Sequence, residues 1–178
     1  IGHGNPRILR VIAEQSARIA HTGFAYSSRI VEEAAREVLS LPGFEDGRCV
    51  FLCSGSEAVE YGVRVAQSVA GRPLLMTMTD SYFGAYGSAH RKQQGEWFSF
   101  DWTACAACPD PGERNEPCEH WAAIPWERIG GFLFEPGSSS GLVRFPPEKL
   151  IARIVGAIRK NDGLVLVKKI REAESDPG

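Results

Sequence analysis

Long apolar runs and an excess of positive charge are both missing from this 178-residue sequence. A membrane-spanning helix needs roughly 18 consecutive apolar residues. No segment approaches that length, so we expect no membrane contact. The 20 Lys and Arg residues stand against 22 Asp and Glu residues, which gives a net charge of -2. Because no basic patch is interleaved with aromatic residues, we expect no nucleic-acid partner.

The sequence also lacks an initiating methionine and a signal-peptide pattern, and its number of cysteines is odd. The opening residues lack the charged and apolar regions of a secretory signal, and they predict a segment from within a longer chain. The five cysteines therefore predict reduced thiols in a cytoplasmic protein rather than a disulfide framework.

Short apolar runs alternate with amphipathic helical patterns along most of the chain. We predict strands at 49–53, 73–78, 131–135 and 163–167. Helices are predicted to begin at Asn5-Pro6, at Ser28, at about Ala58 and after Pro146-Pro147. Apolar strands that alternate with such helices are typical of an α/β fold, with a mostly parallel sheet and helices on both faces. The hydrophobic content of 43% suffices for a core.

Residues 93–126 interrupt this pattern. They are rich in Pro, Cys, Trp and charge without a clear period, so we predict a long excursion from the sheet. Three thiols and an imidazole in this stretch are suitable ligands for a tetrahedral zinc site: Cys105, Cys108, Cys118 and His120. Free cysteines in a polar loop are the alternative, because the spacing from Cys118 to His120 is tighter than in the usual zinc motifs.

The segment SGSE at residues 54–57 joins a predicted strand to a predicted helix. A helix N-terminus at the carboxyl end of a parallel strand offers free N–H groups and a favourable dipole to a phosphate. Gly55 would let the backbone approach such a ligand, and the hydroxyls of Ser54 and Ser56 would add donors. A plain capping box of Ser54 and Glu57 explains the same residues without any ligand. The spacing leaves both interpretations open.

Two other predicted strands end in side chains that suit the same site. Tyr82 follows the second strand, and an aromatic face there could stack on a flat cofactor, although most such aromatics belong to a core. Glu135 ends the third strand and brings a carboxylate to the same edge of the sheet, unless it is a solvated loop acid.

A serine-hydrolase pattern also occurs, because the segment GSSSG at residues 137–141 matches the nucleophile elbow of α/β hydrolases. That class needs a histidine after the serine, whereas all four histidines precede it. The residues after Gly141 do not open a helix directly either. We therefore reject a hydrolase.

Four segments, in order, resemble the class III (ornithine aminotransferase-like) aminotransferases, which are pyridoxal-phosphate enzymes of fold type I. Residues 2–6 resemble the G-H-x-x-P opening of that family, and residues 54–60 resemble its S-G-[ST]-E-A-x-E segment. Residues 81–84 resemble its Y-H-G segment, with Phe83 where His is common, and residues 135–146 resemble its E-P-x-x-G-x-G-x-x-x-P stretch. The resemblance covers residues 1–167, which we assign to one partial large domain.

This resemblance implies roles for individual residues. Gly55 and Ser56, with Ser54 just before them, would hold the phosphate of pyridoxal 5'-phosphate. Tyr82 would stack on the pyridine ring. Glu135 would lie in the active site, where relatives can pair it with an arginine from outside this segment. The resemblance also implies a homodimer that transfers an amino group from an amino acid or amine to a keto acid or aldehyde, in a Schiff-base ping-pong cycle.

The end of the sequence departs from the family. After the strand at 164–167 the family has an Asp-Glu pair, whose Asp keeps the pyridine nitrogen protonated, whereas this sequence has Lys168 and Lys169. A lysine there would oppose the charge that the chemistry needs. The family's Schiff-base lysine lies further downstream, so we expect the catalytic lysine outside residues 1–178. The tail at 168–178 is unlike the family and indicates a truncation, a frameshift or joined segments.

The reaction type stays open at this point. An aminotransferase is the first hypothesis. An aminomutase or racemase of the same fold, and a non-catalytic remnant or binding module, are the alternatives.

Overall fold

The computed structural model describes residues 2–23, 26–41, 43–44, 46–106, 118–137 and 144–168. Its contacts divide the chain into two units, residues 1–51 and residues 52–178. The assignment of residues 1–167 to one large domain stays a prediction.

The first unit contains two helices, α1 (Pro6–Arg18) and α2 (Arg29–Leu39). The Asn5 side chain accepts a hydrogen bond from the Arg7 N–H at 3.0 Å, and proline at the first helical position has the backbone angle that a helix needs. Ser28 is the N-cap of α2. Both predicted helix starts are therefore confirmed. Neither helix contains a buried residue.

The second unit has an α/β arrangement. Its helices are α3 (Gly55–Ala70), α4 (Ser88–Arg91), α5 (Thr103–Ala106), α6 (Glu119–Ala122) and α7 (Glu148–Lys160), and a 3-10 turn spans Trp126–Arg128. Its strands are β1 (Leu74–Met78), β2 (Trp97–Phe100), β3 (Ile129–Phe134) and β4 (Leu164–Val167).

The four strands form one sheet in the order β2-β1-β3-β4, and every neighbouring pair is parallel. This confirms the predicted parallel sheet and three of the four predicted strands. β2 was not predicted. It lies inside the stretch at 93–126, where WFSF is too short to produce a clear period, and it pairs with β1 from Leu75 to Met78. The excursion therefore begins as part of the sheet.

Helices cover both faces of this sheet. Side chains that alternate along β1 and β3 enter two different clusters, because successive residues of a strand point to opposite faces. One cluster packs Met76 and Phe132 against Leu150, Ile154 and Ile158 of α7. The other packs Leu75 and Leu133 against Val59, Val63 and Ala66 of α3. The predicted arrangement of helices on both faces is confirmed.

The strand predicted at 49–53 is wrong. Within residues 46–106, a stretch that the structure describes without a gap, residues 49–53 form no strand and have no place in the sheet. Val50, Phe51 and Leu52 are 54, 50 and 41% exposed. An apolar run becomes a buried strand only where neighbouring strands and helices cover it, and nothing described covers this one.

In the described part of the chain, no helix has the length and apolar character of a membrane span.

Candidate active site

The predicted cofactor-binding residues lie near the ends of β1, β3 and β4, which we call the carboxyl edge. The chain leaves β1 toward β2 on one side, and it leaves β3 toward β4 on the other. Connections that diverge in this way leave a crevice outside the strand ends, the usual ligand position in an open parallel sheet. Tyr82 and Glu135 follow the two strands that flank this crevice.

The N-terminus of α3 contributes the first part of the site. Ser54 is its N-cap, and its hydroxyl accepts a hydrogen bond from the Glu57 N–H at 3.2 Å. The Glu57 carboxylate turns back and accepts from the Cys53 N–H at 2.7 Å. The predicted capping interaction is therefore confirmed, with Cys53 rather than Ser54 as the returning donor. The first N–H groups of a helix have no intrahelical acceptor, so those of Gly55 and Ser56 are available to water or to a ligand.

The loop after β1 packs directly on this helix end. The Ser56 hydroxyl accepts a hydrogen bond from the Ala85 N–H at 3.2 Å. Gly84, with φ of +119°, approaches so closely that a Cβ placed on it would lie 2.1 Å from Ser56 Oγ. Glu60, one turn along α3, accepts from the Ala89 N–H at 2.9 Å. These contacts fix the loop that carries Tyr82 to the predicted phosphate-binding end of α3.

Tyr82 and Phe83 occupy different environments. The Tyr82 side chain is 45% exposed, and its ring is therefore accessible to a stacking partner. Phe83 is 1% exposed and belongs to the core on the α3 face. The Tyr82 N–H donates to Glu135 Oε1 at 2.8 Å, which ties the end of β1 to the end of β3.

Glu135 is a buried carboxylate. Its residue is 2% exposed, so the interpretation as a solvated loop acid is wrong. Its second oxygen, Oε2, lies 3.3 Å from Lys168 Nζ. Because β3 and β4 are adjacent and parallel, the residues that follow them are neighbours, and this pairing is a direct consequence of the sheet order.

Lys168 follows β4 directly, at the position where the resemblance noted above implies an aspartate. Its backbone N–H donates to the Phe134 carbonyl at 2.9 Å, which continues the β3–β4 ladder by one residue. Its ammonium donates to the Tyr82 carbonyl oxygen and lies 5.0 Å from the centroid of the Tyr82 ring. The departure noted in the sequence therefore places a cation inside the site.

Lys92 and Asp80 also belong to the site, although the sequence did not single them out. The Lys92 ammonium donates to the Ser81 carbonyl and lies 5.4 Å from the Phe83 ring centroid. Burial lowers the pKa of Lys92, and the carboxylates of Glu135 and Asp80 oppose that change.

Asp80 accepts from Trp102 Nε1 at 2.9 Å and pairs with Arg144 at 2.9 Å. Asp80 follows β1 as Glu135 follows β3, so the same argument from strand ends could have found it. Lys92 has no such local signal, because its place depends on how the loop folds back.

The zinc hypothesis receives no support from the described residues. Among them, no group of three or more His, Cys, Asp and Glu side chains could hold a metal ion. Cys105 is buried in the core on the α7 face, whereas Cys118 is exposed. Cys108 lies outside the described residues, so the complete set stays a prediction. Residues 138–141 of the rejected hydrolase pattern also lie outside them.

The site fits two parts of pyridoxal phosphate and differs at a third. The N-terminus of α3 suits a phosphate, and the accessible ring of Tyr82 suits a flat heteroaromatic ring. The end of β4 differs from the family pattern, because Lys168 brings an ammonium group to it instead of a carboxylate. The chain's own residues therefore suit the cofactor's phosphate and ring, but not a protonated ring nitrogen.

Comparisons with known proteins identify the family of this chain. The family model "Aminotransferase class-III" matches residues 1–90, half of the chain. The acetylornithine aminotransferase of Methanosarcina mazei is 32% identical over 85 residues, which cover 47% of this chain and 21% of that protein. The leucine/methionine racemase of Thermococcus litoralis is 23% identical over 193 residues, which cover 96% of this chain and 44% of that protein.

A solved structure shares the fold. The taurine:2-oxoglutarate aminotransferase from Bifidobacterium kashiwanohense, in complex with PLP and glutamate, superposes with a TM-score of 0.75 at 18% identity. The match covers 93% of this chain and 43% of that one. The chain thus spans less than half the length of these relatives. With the strand ends, the capped helix and the family match taken together, this chain belongs to the class-III aminotransferases.

Proposed function

We propose that this chain is part of a pyridoxal-phosphate-dependent aminotransferase. The enzyme would transfer an amino group between an amino acid or amine and a keto acid or aldehyde, in a ping-pong cycle. The observation that carries the proposal is the convergence of the α3 N-terminus with Tyr82 and Glu135 at one edge of a parallel sheet, in a chain of this family.

The α3 N-terminus is the proposed phosphate site. Its dipole favours an anion, and the N–H groups of Gly55 and Ser56 supply donors. The Ser54 hydroxyl accepts from the Glu57 N–H, so a phosphate would be left to the N–H groups that precede it. The Ser56 hydroxyl accepts from Ala85 and so keeps its own proton available for a phosphate oxygen.

Tyr82 and Glu135 are the proposed ring-side residues. Tyr82 would stack on the ring and so restrict its orientation. Glu135 holds the Tyr82 backbone in place through the 2.8 Å hydrogen bond and is itself shielded from water. When bound, the cofactor supplies a reactive aldehyde and an electron-accepting ring, while the protein supplies position and charge.

The remaining expectations are part of the same proposal. The catalytic lysine is expected outside residues 1–178, and the working enzyme is expected to be a cytoplasmic homodimer with small-molecule amino donors and acceptors. We expect neither nucleic acid nor a membrane as a partner, and zinc is expected only if Cys108 completes the set with Cys105, Cys118 and His120.

A racemase of the same fold is the second candidate. It is supported by the match to the leucine/methionine racemase, which is 23% identical over 96% of this chain, although an acetylornithine aminotransferase of Methanothermobacter thermautotrophicus matches the same share at 24% identity. The two reactions are distinguished by incubating the complete enzyme, including its catalytic lysine, with an L-amino acid, with and without a keto acid. Amino transfer needs the keto acid and makes a new amino acid, whereas racemisation yields the D-isomer without it.

The phosphate site is tested with Ser56→Asp. This change places a negative charge against the phosphate, and we expect the dissociation constant for pyridoxal phosphate to rise about tenfold or more, which corresponds to roughly 1.4 kcal/mol. Binding is measured by equilibrium dialysis and absorbance. Ser68→Asp is the matched control, because Ser68 is exposed near the other end of the same helix. Equal affinity in Ser56→Asp and Ser68→Asp would contradict the proposed site.

A further inference from the structure

The ammonium group of Lys168 lies beside the face on which a cofactor ring would stack. Its Nζ is 5.0 Å from the Tyr82 ring centroid and 6.0 Å from that of Phe83. A ring stacked on Tyr82 has its own centroid roughly 4.5–7 Å from the same point. A ring stacked on the face of Tyr82 over which this ammonium lies would be close to a positive charge, and the inference below places the ring on that face.

The acids near Lys168 also interact with other groups. Both oxygens of Glu135 are engaged, one by the Tyr82 N–H and the other by Lys168 itself. Lys92 brings a second ammonium close enough to interact with Glu135. Asp80, the other nearby carboxylate, is bonded by Trp102 and paired with Arg144. Because Arg144 also interacts with Asp101, the wider group of charges is balanced, and the inference depends on where the Lys168 ammonium lies relative to Tyr82.

We propose that Lys168 makes this site select a flat heteroaromatic ring whose nitrogen is unprotonated and therefore neutral. The inference rests on the proposed function, since it assumes that the phosphate and the ring bind as described there. Two like charges at this separation repel even where the effective dielectric constant is about 20. A neutral ring nitrogen has a lone pair instead, which can accept a hydrogen bond from an ammonium group.

The selection is measured with two probes that differ only by a methyl group on the ring nitrogen. One is pyridoxal phosphate, and the other is its N-methyl analogue, whose ring is permanently cationic. Their dissociation constants are determined by equilibrium dialysis for the purified protein and for three variants. We expect the unchanged protein to bind pyridoxal phosphate about tenfold more tightly than the cationic probe, a difference of roughly 1.4 kcal/mol. Lys168→Asp is expected to reverse that preference, because it replaces the repelling charge with an attracting one.

Two further variants separate charge from other effects. Lys168→Met keeps the length of the side chain without its charge, so any preference that remains in it reports only the bulk of the methyl group. It also answers the question if Lys168→Asp fails to fold, because a lower preference in Lys168→Met is the expected result. Lys160→Asp changes the same charge at the exposed C-terminal end of α7 and is expected to leave the preference unchanged.

The outcomes distinguish this inference from the proposed function. If both probes bind and the preference is the same in the unchanged protein, Lys168→Met and Lys168→Asp, the role of Lys168 is refuted while the phosphate and ring site stands. If neither probe binds to any of the four proteins, the proposed function fails and this inference fails with it.

Discussion

Replacement of Gly84 by alanine tests the contact on which the geometry of the site depends. An added Cβ would lie 2.1 Å from Ser56 Oγ, 2.8 Å from Ser56 Cβ and 3.0 Å from Ser56 Cα. Rotation of the Ser56 hydroxyl relieves the first contact but not the other two, so the loop must move away from α3. Gly84 also has φ of +119°, a value that L-residues rarely adopt.

The magnitude follows from these two effects. Backbone strain of this kind costs about 1–3 kcal/mol, and overpacking costs about 1–3 kcal/mol. We therefore expect Gly84→Ala to lower the free energy of unfolding by about 2–6 kcal/mol, a large fraction of the roughly 5–15 kcal/mol typical of a domain. Because the loop carries Tyr82, affinity for pyridoxal phosphate should fall as well.

Two other glycines supply controls for a guanidinium-chloride unfolding assay. Gly71 caps α3 with φ of +63° and has no atom within 4 Å of an added Cβ, so Gly71→Ala reports strain alone, about 1–2 kcal/mol. Gly156 lies inside α7 with similar free space, and Gly156→Ala should stabilise by about 1 kcal/mol. A loss in Gly84→Ala no greater than that in Gly71→Ala would refute the close contact between the loop and α3.

Two further predictions concern the charged groups of the site. Glu135→Ala leaves the Lys168 ammonium and the Tyr82 N–H without this acceptor and should reduce the free energy of unfolding by about 3 kcal/mol. Glu135→Gln should lose less stability, because its amide oxygen still accepts from the Tyr82 N–H. Equal losses for the two variants in chemical denaturation would argue against the buried pair. Burial lowers the pKa of Lys92 below its usual 10.5, so between these two values the unfolded chain binds more protons and stability contributed by this group rises with pH. Unfolding measured from neutral pH to pH 10.5 should show that the unchanged protein gains stability relative to Lys92→Met over this window, and a constant difference between them would contradict the assignment.

The sequence predicted the features that depend on neighbouring residues. The cap of α1 at Asn5 and the interaction of Ser54 with Glu57 form over two or three residues, so their chemistry is visible in the chain itself. Helix starts and the α/β class were predictable for this reason.

Strands were less predictable, because a strand needs partners that lie far away in the chain. The apolar run at 49–53 has the composition of a strand but no partner in the described sheet, and the prediction failed. β2, by contrast, is a short segment in a stretch without a clear period, and it is a strand because β1 supplies a row of hydrogen-bonding groups beside it. The composition of a segment does not show whether such a neighbouring strand is present.

The residues of the site likewise divide into those that the local sequence predicted and those that depend on distant segments. Gly55, Ser56, Tyr82 and Glu135 could be selected from the sequence, since each follows a strand or begins a helix at a recognisable position. The burial of Glu135, its pairing with Lys168 and the approach of Lys92 arise only when segments up to 86 residues apart meet at the carboxyl edge. The sequence by itself therefore determined the local elements, the candidate groups and their charges. The tertiary structure decided which of these groups meet, because electrostatic interactions depend on distance in space rather than along the chain.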